Sequence, residues 1–269
     1  MINETQKSCL ILLGQFKFLT LSQLLYLLPE MKYKNLWKQM NSLVKSRRGL
    51  AAKKKFDQIT RIGKVEDLYF LTSKGARFLE NEELIDVVKY PKGNISGKDY
   101  KHRKSILDFQ ILIADYAQSN KIVINRFLRY FDGVEGPERS AATQLESKRT
   151  RAIADAVFKI SSNLFVIEVH NGKSAKRALK QIHQHAELLT SLAVHKKFEI
   201  PFNKAYRILF LFENSGTLNS TITRLQEEAN IFHPVEKFIL FKNLESLQEQ
   251  DWTQNWLTIF GNPYSIKLK

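Results

Sequence analysis

Two segments in the middle of the chain, residues 154–160 and 164–170, alternate between apolar and other side chains and thereby limit the possible folds. Successive side chains of a β-strand point to opposite faces, so these two segments share one wholly apolar face. That face consists of Ala156, Phe158, Ile160, Phe165, Ile167 and Val169. A two-residue turn at Ser162 and Asn163 would join the segments as an antiparallel hairpin whose apolar face is buried.

The other face of this hairpin carries polar side chains. The predicted turn places Val157 opposite Glu168 and Asp155 opposite His170, so two carboxylates and an imidazole lie together. Convergent carboxylates suit a hard divalent cation, and the sequence predicts that Asp155 and Glu168 bind Mg²⁺ or Mn²⁺. In the alternative, Asp155 is exposed and Glu168 pairs with Lys159 across the strands. A three-residue turn would separate the polar residues onto different faces.

The remainder of the C-terminal part has the pattern of a mixed sheet covered by helices. The periodicity predicts helices over residues 101–118, 174–192 and 217–229 and further strands over 122–128, 205–212 and 237–241. The resulting order, αβββαβαβ, indicates a domain of the α/β (α+β) class.

The N-terminal part shows the element order of a winged helix-turn-helix. A first helix begins at Glu4 and stops at Gly14, Thr20 and Gln23 form a capping box for a second, and a third begins at Tyr33. Two strand-like stretches with a basic tip between them, and then another short helix, follow over residues 50–56, 67–71 and 73–79. In a winged helix the third helix enters the major groove of DNA.

Positive charge is concentrated in this N-terminal part. The chain has 42 Lys and Arg against 27 Asp and Glu, a net charge of +15, and residues 31–64 contain eleven of the bases and one acid. Clustered like charges repel one another unless a polyanion neutralises them, so the pattern indicates double-stranded DNA as the partner. The predicted DNA contacts are Lys34, Asn35, Lys38, Gln39, Asn41, Lys45, Arg47, Arg48, Lys53, Lys54, Lys55, Arg61 and Lys64. Base edges are expected to be read by Asn35, Lys38, Gln39 and Asn41, and phosphates by the remaining bases.

The sequence also predicts the domain boundaries and the cellular compartment. Residues 89–98 contain Pro91, Gly93 and Gly97 and are predicted to link a domain over 1–88 to a domain over 99–269. The apolar stretches are shorter than the about 20 residues that a membrane span needs. The single cysteine, Cys9, lies in an apolar run and is expected to be a buried core residue. We expect a cytoplasmic protein that binds no membrane.

The spacing around the hairpin resembles a known signature. Asp155, followed after twelve residues by Glu168-Val169-His170, resembles the D…ExK motif of the PD-(D/E)xK nuclease superfamily, with His170 at the lysine position. Ala154 stands where a proline is usual. Over residues 5–192, and most clearly over 101–108 and 153–172, the chain resembles the replication-relaxation family and the related MOBC relaxases of mobilisable plasmids.

This resemblance implies a restriction-endonuclease-like fold for residues 99–269. It makes Asp155 and Glu168 the metal ligands and puts His170 in the place of the lysine that orients the water or stabilises the phosphate. It also makes Lys173, Lys176 and Lys180, at or on the following helix, candidate substitutes for that lysine.

Together these features predict a plasmid or mobile-element DNA-processing protein that binds a specific duplex site and nicks or relaxes it with Mg²⁺. The main alternative is a DNA-binding replication initiator, relaxosome accessory factor or repressor in which a degenerate nuclease fold serves as a scaffold. An RNA-processing protein is a third interpretation, although nothing in the sequence resembles stacking aromatics on a sheet. Other relaxosome or replication proteins are expected partners. Residues 252–264 are apolar enough to cover either their own sheet or a second copy in an oligomer.

Overall fold

The computed structural model describes residues 2–56, 63–85, 88, 90, 96–132, 142–202, 206–247 and 251–268. By its internal contacts the chain divides into two units, Met1–Asp108 and Phe109–Lys269. This division falls within a helix, after the linker predicted at 89–98. Residues 89 and 91–95 of that linker lie outside the described part, so the predicted boundary stays a prediction.

The described residues of the first unit form helices around a small antiparallel sheet. Its elements in chain order are α1 (Glu4–Phe16), β1 (Phe18–Leu19), α2 (Leu21–Leu27), α3 (Tyr33–Lys45), β2 (Ala51–Lys54), β3 (Leu68–Leu71) and α4 (Ser73–Asn81). The strands lie in the order β1-β3-β2. The order of helices and hairpin is the predicted one, and the structure adds β1, which is too short to produce a periodic pattern. The core between helices and sheet contains the buried residues Leu10, Leu24, Leu36, Met40 and Leu79.

The helix ends of the first unit follow from local chemistry in one case and from packing in another. The side chain of Thr20 accepts from the N–H of Gln23, whose side chain accepts from the N–H of Thr20, so the predicted capping box is confirmed. The prediction that α1 stops at Gly14 is wrong, because the helix continues to Phe16. A Cβ at Gly14 would lie 2.7 Å from Cδ1 of Ile85, so this glycine permits close packing and does not end the helix.

The second unit is a mixed α/β structure, as the sequence predicts. Helix α5 (Tyr100–Ser119) begins in the first unit and continues into the second. The strands are β4 (Ile124–Arg129), β5 (Gln144–Glu146), β6 (Arg151–Ile153), β7 (Ala156–Ile160), β8 (Asn163–His170), β9 (Arg207–Phe212), β10 (Ile239–Asn243), β11 (Trp256–Leu257) and β12 (Pro263–Tyr264). The later helices are α6 (Ala175–Leu189), α7 (Ala193–Phe198), α8 (Ser215–Glu227) and α9 (Ala229–Phe232).

Seven of these strands form one sheet in the order β12-β11-β10-β9-β8-β7-β4. Strands β8, β9 and β10 are parallel to one another, and the other neighbours are antiparallel. Strands β5 and β6 form a separate two-stranded hairpin. The parallel pairs are joined by helical crossovers, as parallel strands require.

The turn between β7 and β8 differs from the predicted turn. Ile160 is opposite Asn163, so Ser161 and Ser162 form the turn, and Ser161 adopts a φ of 51°. The predicted turn at Ser162 and Asn163 is wrong because Asn163, a residue that favours turns, is drawn into the strand pairing. The actual register of β7 against β8 therefore differs from the predicted one by two residues. Because side chains alternate with a period of two, a shift of two residues leaves both faces of the hairpin as predicted.

The two faces of the sheet are covered differently. On one face, Phe158 and Phe165 stack at 4.8 Å between ring centroids and contact Trp252 at 5.9 and 5.7 Å. On the other face, buried residues of α6 and α8 pack against the strands. The C-terminal segment therefore covers its own sheet, and β11 extends that sheet by pairing with β10. Among the described helices, none has the length and apolar character needed to cross a membrane.

Candidate functional site

Helix α3 has one apolar and one basic side. Leu36, Met40 and Leu43 are buried at a spacing of four and three residues, which places them on one stripe of the helix. Its charged residues are Lys34, Lys38 and Lys45, which are all exposed, and α3 contains no acidic residue. Of the predicted DNA contacts, Lys34, Asn35, Lys38, Lys45, Arg47, Arg48, Lys55 and Lys64 are exposed, while Gln39, Asn41, Lys53 and Lys54 are half-buried. The predicted contact Arg61 lies outside the described residues.

Two of the predicted DNA contacts already have partners within the first unit. The Oε1 atom of Gln39 accepts a hydrogen bond from Nδ2 of Asn3 at 3.2 Å, which directs Gln39 toward α1. The Nζ atom of Lys53 lies 3.0 Å from Oδ2 of Asp67, and this hydrogen bond raises the pKa of Lys53. Since its charge is already paired, Lys53 is a weaker candidate for a phosphate contact than the exposed lysines of α3.

In the second unit, Asp155 and Glu168 lie side by side on neighbouring strands. Ala156 is opposite Ile167, and continuing the register by one step places Asp155 beside Glu168. Side chains in this relation have Cβ atoms about 5 Å apart. The prediction that Asp155 lies opposite His170 is therefore wrong, because the predicted turn shifts the strand register by two residues. The structure brings the two carboxylates closer together than the predicted register did.

Asp155 also closes the strand pairing at this point. Its N–H donates to the carbonyl of Ile167 at 3.0 Å, and its Oδ2 accepts from the N–H of Val169 at 2.7 Å. The carboxylate thus takes the place of a main-chain acceptor where β7 begins. This contact fixes the side chain against β8, and the residue itself is partly exposed.

Glu168 is almost fully buried, and helix α6 holds both of its oxygen atoms. Oε1 lies 2.7 Å from Nε2 of His185, and Oε2 accepts from Nε2 of Gln181 at 3.0 Å. Gln181 and His185 are four residues apart, so both project from the same side of α6. The alternative pairing of Glu168 with Lys159 does not occur in the strand register, where Lys159 is opposite Leu164.

The histidine in this cluster is uncharged at neutral pH. Burial lowers the pKa of His185 to about 4, although the nearby carboxylate of Asp155 acts in the opposite direction. A neutral ring with its proton on Nε2 donates to Glu168 and leaves Nδ1 as an acceptor. Among the described residues, Nδ1 has no hydrogen-bond partner, which fits this tautomer.

His170 follows Glu168 by two residues on the same face of β8, as predicted. Its ring is buried and stacks on Phe210 and Phe212 with centroid distances of 5.7 and 5.0 Å. An imidazole held in this way is fixed in position, whereas the lysine of the superfamily motif is a flexible permanent cation.

Lys180 lies on a different side of α6 from the residues that hold Glu168. It is exposed and lines a cleft of about 610 Å³ together with His183, Gln184 and Ile231. Five residues separate Lys180 from His185, which corresponds to a rotation of about 140° around a helix. The structure therefore does not bring Lys180 to the carboxylates, contrary to the prediction from the resemblance.

The sequence contained a signal for His185, one of the two residues of α6 that the predicted site lacked. Ala178, Ile182 and His185 follow the spacing of a buried stripe, and all three are buried. A histidine on a buried stripe needs a polar partner inside the fold. That partner, Glu168, could not be identified before the packing of α6 on the sheet was known.

The pair Asp155 and Glu168 fits a magnesium ion in its chemistry. Mg²⁺ is commonly held by one or two carboxylates and retains several waters, so two oxygen ligands from the protein suffice. Glu168 is buried beside Asp155, and a cation held by both carboxylates would offset the repulsion between them. Within the described ranges, no group of three or more His, Cys, Asp or Glu side chains is arranged to hold a metal ion.

Comparison of the chain with protein-family models, with curated proteins and with solved structures found no match.

Proposed function

We propose that this protein is a DNA-processing protein whose first unit binds duplex DNA as a winged helix. In the same proposal, the second unit is a nuclease-like domain that cleaves a phosphodiester bond with Mg²⁺ at Asp155 and Glu168. The resemblance to the replication-relaxation family and the MOBC relaxases suggests that the DNA belongs to a plasmid or another mobile element. The cytoplasm would be its place of action.

The basic side of α3 is the observation that carries this proposal. Lys34, Lys38 and Lys45 are exposed together on a helix without acidic residues, whose other side is anchored in the core. Helix α3 contacts β2, which ends at Lys54 and is followed by the exposed Lys55. A helix that is held by its apolar stripe and whose exposed charged side chains are all positive suits the phosphates that line the major groove.

The cleavage part of the proposal rests on the neighbouring carboxylates. Bound to Asp155 and Glu168, Mg²⁺ would polarise the phosphodiester and activate a water for attack. Gln181 and His185 orient the carboxylate of Glu168, and His185 does so without introducing a positive charge that would repel a cation. The hydrogen bond from the N–H of Val169 holds Asp155 against the strand that carries Glu168.

A second candidate function, DNA binding without cleavage, is favoured by the hydrogen bonds of Glu168. Both of its oxygens are engaged by α6, and Asp155 caps the backbone of β8, so the two acids also have structural roles. In this case the second unit is a scaffold in a replication initiator, a relaxosome accessory factor or a repressor.

Supercoiled plasmid DNA incubated with the protein and Mg²⁺ or Mn²⁺ distinguishes the two candidates. The active protein should convert supercoiled to relaxed or linear DNA, and EDTA should stop the reaction. Asp155→Asn and Glu168→Gln should each abolish conversion with little effect on binding of a labelled duplex. Glu187→Gln, at an exposed position of the same helix that holds Glu168, is the matched control and should remain active.

If the wild-type protein binds the duplex but never nicks the plasmid with either metal, the protein is the scaffold. Failure to bind DNA in the absence of any unfolding would contradict both candidates.

A further inference from the structure

Helix α3 exposes two large aromatic side chains beside its lysines. Tyr33 is 56% exposed and Trp37 is 47% exposed, although tryptophan is normally well buried. They are four residues apart and therefore adjacent on the helix surface. Within the described part of the first unit, the exposed large apolar side chains are these two and Tyr26 on α2.

On the folded chain, Tyr33 lies near the β2–β3 hairpin. Tyr33 is close enough to Tyr69 on β3 to contribute to the raised pKa of Tyr69, whose main cause is burial. Lys53 on β2 lies over the ring of Tyr69 at 6.0 Å. On α3 itself, Lys34 and Lys38 each directly follow an aromatic residue.

These surroundings identify the chemistry of the partner. Exposed aromatic residues are typical of binding surfaces, because leaving them in water costs free energy until a partner covers them. A partner that covers this pair must also tolerate the lysines next to it, and neither α3 nor residues 46–56 contain an acid. A polyanion with apolar surface between its charges satisfies both requirements, and duplex DNA has thymine methyl groups and sugars between its phosphates.

We propose that Tyr33 and Trp37 form the apolar part of the DNA interface of α3 and contact thymine methyl groups and sugars in the major groove. This inference rests on the proposed DNA binding and adds two residues that determine affinity and sequence preference through apolar contact. The lysines supply the salt-dependent part of the binding free energy, and the aromatic pair supplies a part that does not depend on salt.

Intrinsic fluorescence can test this inference because Trp37 is the exposed tryptophan of three. Trp252 and Trp256 are fully buried, so collisional quenching by acrylamide reports mainly on Trp37. A saturating concentration of a mixed-sequence duplex should lower the Stern–Volmer constant to about the value that remains when Trp37 is removed, because bound DNA shields Trp37 from acrylamide. Trp37→Phe should remove most of the quenching signal and its response to DNA.

Affinity measurements on the full chain provide the second readout. Trp37→Ala should weaken binding of the same duplex about tenfold, as loss of a central aromatic contact does, and should leave the slope of log affinity against log salt unchanged. The control is Phe202→Ala, which removes an aromatic side chain that is 63% exposed in the second unit and should have no effect.

The outcomes separate this inference from the proposed function. An unchanged Stern–Volmer constant with duplex that fluorescence anisotropy shows to be bound overturns the inference and leaves DNA binding intact. Protection of Trp37 from acrylamide by single-stranded DNA but not by the duplex also overturns the inference, in favour of unpaired bases. Protection of Trp37 that depends only on protein concentration overturns it in favour of a second copy of the chain. No binding of either nucleic acid overturns both.

Discussion

Removing the three exposed lysines of α3 should lower the salt dependence of DNA binding. The perturbation is the triple variant Lys34→Ala, Lys38→Ala and Lys45→Ala. These side chains lie on the solvent side of a helix whose opposite side is buried, so the fold should tolerate their truncation. Alanine also has the highest helix propensity, so α3 itself should not be weakened.

The magnitude follows from counterion release. Each neutralised phosphate contributes about 0.9 to the slope of log affinity against log salt, so loss of three contacts lowers the slope by about 2.7. Between about 50 and 200 mM NaCl, wild-type affinity should therefore fall about 40-fold more than that of the variant. Because this electrostatic contribution vanishes at about 1 M salt, the variant should bind about 170-fold more weakly at about 150 mM, which corresponds to about 3 kcal/mol.

Fluorescence anisotropy of a labelled mixed-sequence duplex, titrated at several salt concentrations, measures this slope. The charge-matched control replaces Lys196, Lys237 and Lys267, three exposed lysines of the second unit, and should keep the wild-type slope. Lys53→Ala should change the slope by less than about 0.3, because Asp67 already pairs with Lys53. An equal fall in the α3 variant and in its control would show that net charge alone drives binding and would refute the assignment to α3.

Three further predictions concern the fold. Gly75→Ala should destabilise the first unit by about 2 to 3 kcal/mol in urea unfolding, because a Cβ there would overlap the carbonyl oxygen of Leu50; full stability would contradict this close approach. The wild-type protein should lose stability as pH falls from 6.5 toward 4, since in this range the unfolded chain protonates His185 and the folded chain does not. His185→Gln should remove this contribution, whereas His183→Gln, a partly exposed control on the same helix, should retain it. Burial raises the pKa of Cys9 to about 12, so its thiol should react with a disulfide reagent only as the protein unfolds, and fast labelling of the folded protein would disprove its burial.

Elements governed by short-range chemistry were predicted well from the sequence. The capping box of Thr20 and Gln23 depends on side chains three residues apart, and it forms as predicted. The amphipathic spacing of α3 likewise gave its start at Tyr33 and its buried stripe. The alternation in β7 and β8 gave both faces of the hairpin, because alternation depends only on the pleat of each strand.

Features that depend on contacts between distant residues were missed or mispredicted. Gly14 looked like a helix stop, but the approach of Ile85 from 71 residues further along decides its role. The separate β5–β6 hairpin and the terminal strands β11 and β12 are too short for periodicity to reveal. Their pairing partners are set by the sheet that they join.

The candidate site shows the same division. The sequence determined that Asp155 and Glu168 share a face of the sheet, since their positions within each strand fix which way they point. Only the tertiary structure decided that they are direct neighbours, because the turn at Ser161 sets the register and its φ of 51° was not foreseeable from a serine. It also decided that His185, seventeen residues after Glu168, contacts that carboxylate, because packing of α6 on the sheet brings the two side chains together.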